Sequence, residues 1–90
     1  EVYRDVGNLD AAIADADQAV LEAPEAGWAY YTRHSIHMAR GDLSSALADL
    51  EKADELAQES GDLRLEAVAR MQKALVLQMI SASPLPTPTQ

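Results

Sequence analysis

Apolar residues recur along this chain at intervals of three and four. Leu9, Ala12, Ile13, Ala16, Ala19, Val20 and Ala23 form one such series. Leu43, Ala46, Leu47, Leu50, Ala53 and Leu56 or Ala57 form a second. That spacing puts the apolar positions on one side of an α-helix and the polar ones on the other. In the stretch 63–81, Val68, Met71, Leu75 and Met79 make a stripe, which Leu65, Ala69, Val76 and Ile80 widen. The result is a helix apolar over about half its circumference.

Glycine, proline and capping residues divide the pattern. Gly7 ends one segment and Asn8 can cap the next. Pro24 stops that helix. Gly41-Asp42 and Ser60-Gly61-Asp62 read as further corners, with Asp62 as a cap. The sequence therefore predicts five helical segments: Glu1–Val6 as the last turns of a helix, Asn8 to about Ala23, about Glu25 to Arg40, a fourth from the Gly41-Asp42 corner to about Glu59, and Leu63 to about Ser81. Residues 82–90, with Pro84, Pro86 and Pro88, read as a flexible tail or linker, because each residue before a proline is pushed to extended geometry.

Two of the segments are copies. Residues 7–24 align without a gap on residues 41–58, and seven of the eighteen positions are identical: Gly7/Gly41, Leu9/Leu43, Ala12/Ala46, Ala14/Ala48, Asp15/Asp49, Ala19/Ala53 and Ala23/Ala57. The offset is 34 residues, a period of helix–turn–helix repeat arrays. A unit of that kind buries its apolar face only against a neighbour, so the period itself points to a binding scaffold.

The repeat resembles the tetratricopeptide repeat family. Gly7, Ala12, Ala16, Ala19 and Pro24 fit the corner and second-helix pattern of a first copy, and Gly41, Ala46, Leu50 and Ala53 fit a second. Ala16 and Leu50 stand where an aromatic residue is usual. In the first-helix half, Tyr30 fills the aromatic slot, His34 replaces the small residue of the tight contact and His37 replaces a Tyr. The resemblance implies an all-α fold, a short right-handed superhelical stack of antiparallel helix pairs. Residues 1–81 would form the domain, with 1–24 a partial repeat, 25–58 a full one and 61–81 a terminal capping helix.

Ninety residues allow one small domain with a marginal core. Fifteen acidic residues against seven basic give a net charge of −8, which disfavours nucleic acid and anionic membranes as partners. The absence of cysteine excludes a disulfide framework and thiolate chemistry. With no apolar stretch of membrane-spanning length and no signal peptide, a cytoplasmic location is expected.

Candidate chemistry is sparse. His34 and His37 lie three apart on one helical face, where two imidazoles could ligate a metal, but no third ligand is evident. They are expected to fill space at the core edge. The acidic residues Asp10, Asp15, Asp17, Glu22, Asp49, Glu51, Asp54, Glu55 and Glu59 are expected to form a solvated outer face. No phosphate loop or nucleophile setting is present, so neither an enzyme nor a cofactor is expected.

The remaining candidates are apolar. Trp28, Tyr31, Ser35 and Met38 follow i, i+3, i+7, i+10, and the resemblance places this stripe in a concave groove, continued by Val68, Met71 and Leu75. Aromatic and methionine side chains suit a binding surface. The expectation is a protein-interaction scaffold that takes an apolar peptide, a helix or a second copy of itself. A metal or catalytic module on His34 and His37, and a passive spacer in a larger regulator or co-chaperone, are the alternatives.

Overall fold

The computed structural model describes the backbone of residues 6–82 and the side chains of residues 8–81. Among the described residues the chain is all-α, with four helices: α1 (Val6–Glu22), α2 (Gly27–Ala39), α3 (Leu43–Ser60) and α4 (Leu63–Ala82). Most of the expected first segment, and the tail from Ser83 on, lie outside the described residues. Ala82 belongs to α4 rather than to the tail.

The two Gly-Asp corners are built alike. Gly41 and Gly61 have φ of 81° and 77°, the left-handed conformation in which a Cβ would crowd the following carbonyl. In each corner the next residue's N–H folds back onto the helix just ended, Asp42 to the His37 carbonyl and Asp62 to that of Ala57, both at 2.9 Å. The same aspartates then cap the following helix. Asp42 Oδ1 accepts from the Ser45 N–H at 3.2 Å and Asp62 Oδ1 from the Leu65 N–H at 3.1 Å. Both carboxyls titrate below the usual carboxylate range, Asp42 because of Ser45 and Asp62 because of Leu65 and then the Trp28 indole. Gly61→Ala, forced into the left-handed region, is expected to cost about 1 kcal/mol in chemical denaturation.

The Gly7-Asn8 corner is corrected. Among the described residues α1 already includes Val6 and runs helically through both residues, so Gly7 does not break it and Asn8 is not a cap. A lone glycine lowers helix propensity by only about 1 kcal/mol and is tolerated within a helix. The third predicted segment also starts late. Pro24 and Glu25 form a turn, and α2 begins at Gly27.

The helices pack in chain order. α2 lies between α1 and α3, α3 lies against α4, and α2 also touches α4. Both hairpins around α2 are antiparallel. Arg33 and Arg40 of α2 reach back to Asp17 and Asp10 of α1. Gly27 sits by Ala53 and Leu56, late in α3, whereas His37 faces the earlier Asp49.

Small residues make the approach possible. Ala46, Leu50, Ala53, Ala57, Leu65, Ala69 and Val76 are essentially inaccessible; all but Ala46 build one core cluster, over which Tyr30, Tyr31, Met38, Leu43, Leu47 and Val68 partly pack. Alanines at these spacings let helix axes come close enough for the ridges of one to enter the grooves of the other.

Candidate functional site

The predicted stripe on α2 is half core and half surface. Tyr31 and Met38 rest against the core cluster, while Trp28 is 43% exposed and Ser35 faces solvent. Trp28 stacks edge-on against Tyr31, with centroids 5.5 Å apart, and Tyr31 lies 4.7 Å from the His34 ring. The Trp28 indole N–H donates to Asp62 Oδ2 at 2.8 Å, so the ring is held across the α3–α4 corner. The Ser35 hydroxyl turns back to its own helix and donates to the Thr32 carbonyl.

On α4, Leu65, Ala69 and Val76 face α3 and Val68 is partly covered. Met71 is 66% exposed, and Leu75 and Met79 continue the same exposed row at intervals of four. The structure divides the seven predicted residues: Tyr31, Met38 and Val68 lie against the core, Trp28 is fixed by a carboxylate, Ser35 bonds its own helix, and Met71 and Leu75 are exposed. A shallow cleft lined by Leu9, Asp10, Ala39 and Arg40 lies elsewhere, between α1 and the end of α2.

His34 and His37 point inward. His34 is 4% exposed, and its Nδ1 pairs with the Tyr31 carbonyl. His37 Nε2 lies 3.6 Å from Asp49 Oδ2, and its Nδ1 is buried without a partner. Among the described residues no group of three or more His, Cys, Asp or Glu is arranged to hold a metal ion.

Burial lowers the pKa of His34, partly offset by its bond to Tyr31 and by Asp49, while His37 adds to the depression. The neutral ring is thus favoured in the folded state and the unfolded chain binds the proton more readily. Stability from this group is complete above the ordinary value of 6.5 and falls as the pH drops through and below it. Urea midpoints measured at about pH 7.5 and pH 5.5 should fall in wild type and fall less in His34→Phe.

The expectation of a fully solvated acidic face is corrected. Asp49 and Asp54 are 4% and 7% exposed. Arg33 donates to both oxygens of Asp49, at 3.0 and 2.8 Å, and to Asp17 Oδ1 at 3.0 Å, tying α2 to its neighbours on both sides. Its guanidinium also lies 5.6 Å from the Tyr30 ring centroid. These bonds, above all that to Asp49, raise the Arg33 pKa further. Asp54 receives Arg70 at 3.2 Å and Lys73 at 3.9 Å from α4, and Arg70 also pairs with Glu66. The reason is positional: on a helix gripped from two sides, a residue near the seam is enclosed whatever its polarity, and is tolerated when paired. A recurring interval carried this signal. Asp17–Arg33, Arg33–Asp49 and Asp54–Arg70 are each 16 residues apart.

With that geometry in place, comparison with protein families, with curated proteins and with solved structures yields no match to this chain. No helix among the described residues is long and apolar enough to cross a membrane.

Proposed function

We propose that this chain is a protein–protein interaction module, a tetratricopeptide-like stack whose apolar surface runs from Trp28 and Tyr31 on α2 to Met71 and Leu75 on α4. The observation that carries this reading is the row Met71, Leu75 and Met79, exposed among the described residues. A monomeric domain of this size rarely leaves so many large apolar side chains together in water without a partner for them. The order of packing, each helix on its chain neighbours with α2 also reaching α4, supports a layered stack of pairs. The partner would be a protein segment with an apolar face; methionines adapt to it and Trp28, already immobilised, loses little entropy on binding.

The test is capture of partners from the source lysate by wild type and by Met71→Asp and Leu75→Asp. Both side chains project outward, so the fold should survive, as circular dichroism can verify. A groove binder loses on the order of 2 kcal/mol of affinity per anchor residue. Capture that is identical for all three proteins would reduce the domain to a spacer.

A further inference from the structure

The two end helices carry halves of an interface that the middle of the molecule already displays. Ala46, Asp49, Ala53 and Ala57 of α3 are 0–4% exposed. Against this side of α3 lie Gly27, whose nearest α3 atoms belong to Ala53 and Leu56, and Arg33 and His37, which meet Asp49. The copy of this row along α1 and the residue that follows it is identical at all four positions: Ala12, Asp15 and Ala19, then Ala23 just past the helix end. Among the described residues it has no such cover: Asp15, Ala19 and Ala23 are exposed and Ala12 is half-buried, and the helix that α1 packs on is α2, through its other flank around the buried Ala16. Identical residues that bind an α2-like helix in one place stand open in another.

α4 is the matching half. α2 meets α1 at the turns of Arg33 and Arg40, and α4 meets α3 at Ala69 and Val76, the same seven-residue step 36 residues later. Carried along by that offset, the α2 positions that meet α3, Gly27, Arg33 and His37, become Leu63, Ala69 and Lys73 on α4; Ala69 is already buried against α3, and Arg70 follows it one residue on, towards the Leu63 side. Leu77 and Ile80 extend the same flank at helical spacing. Leu63, Leu77 and Ile80 are exposed large apolar residues, and they lie on a different side of α4 from Met71 and Leu75. Charge agrees: α1 holds four acidic and no basic residues, whereas α4 holds three basic and one acidic. Arg33 shows that one guanidinium here can serve carboxylates on two neighbours, and Arg70, its side chain 55% exposed, has room for a second.

We propose that α1 of one copy docks on the Leu63–Arg70–Leu77 flank of α4 of the next, repeating the α2–α3 contact with Asp15 set against Arg70 and Lys73. This rests on the stacked-repeat reading but not on the groove. Such a contact is head-to-tail, so it does not close a dimer but adds copies at both ends.

Sedimentation tests it with the intact chain. Weight-average mass should rise with concentration up to roughly 100 µM and fall as salt goes from about 0.1 to 1 M. Asp15→Lys and Leu77→Asp should each be folded and monomeric, their affinity for like copies reduced at least about tenfold. Mixed together, they retain one sound end apiece and should give a 1:1 heterodimer that grows no further. Met71→Asp should assemble like wild type, which separates this contact from the groove. A wild-type monomer at the highest concentration, association that survives Asp15→Lys, or a mixture that stays monomeric would each overturn the proposal.

Discussion

Arg33→Ala is expected to cost on the order of 3 kcal/mol of folding stability. The side chain is 22% accessible and its principal partner, Asp49, only 6%. Removing the guanidinium leaves a carboxylate enclosed between α2 and α3 with only His37 nearby, 3.6 Å away. An uncompensated charge in such a place is far costlier than the ion pair was favourable. The same change frees Asp17 and so loosens α1, which among the described residues packs on no helix but α2. A domain of this length holds only about 5–10 kcal/mol in total, so the loss should appear as a large drop in urea midpoint. Arg33→Lys should recover little of it, because one ammonium cannot reproduce a fork that grips both oxygens of Asp49 and one of Asp17. Replacing Arg33 and Asp49 together by Met and Leu should recover most of it. A single variant as stable as wild type would show that the bridge is a surface ornament.

Gly27→Val is expected to cost about 2–3 kcal/mol, although glycine is a poor helix former and valine a better one. A Cβ built at Gly27 would lie 2.5 Å from Leu65 Cδ2, 3.3 Å from the Ala53 carbonyl oxygen and 3.4 Å from Leu56 Cβ. Leu65 is 1% exposed and cannot swing aside without opening the core. The start of α2 would have to back away from α3 and α4 together. That would also stretch the 2.8 Å bond from the adjacent Trp28 to Asp62. Thermal unfolding of Gly27→Ala and Gly27→Val should show a progressive fall. A rise in either midpoint would mean that helix propensity outweighs the clash.

These two residues mark where reading along the chain stops short. Gly27 looks like any glycine near a helix start, and only the convergence of three helices explains it. Arg33 lies between Tyr30 and His34 in the first-helix half, and nothing along the chain marks it as the bridge between α1 and α3. Asp49 and Asp54 look like members of a solvated acidic face, because helical periodicity records which side of one helix is apolar and not how many neighbours press on it. His34 is the opposite case. Its place at a tight contact followed from the repeat pattern, and the structure buries it at that seam.

The sequence pattern treats the stripe on α2 and α4 as one surface, and its division was not legible. Tyr31, Met38 and Val68 join the core cluster while Met71 and Leu75 stand clear of it. Periodicity gives each of these residues an angle about its own helix axis. Exposure depends in addition on how far the neighbouring helix extends beside it.

The sequence alone determined that the chain is helical, where Gly41-Asp42 and Gly61-Asp62 turn it, and that residues 7–24 and 41–58 are one pattern written twice. These are local properties, fixed by backbone preference, capping and the 3.6-residue period. Tertiary structure alone decided that Gly7 continues a helix, that Arg33 joins three helices, that Gly27 has no room for a side chain, and that, among the described residues, Asp15 and Ala19 are exposed where their copies Asp49 and Ala53 are buried. Each depends on what arrives from a distant part of the chain, and distance in sequence carries no record of what comes to lie alongside in space.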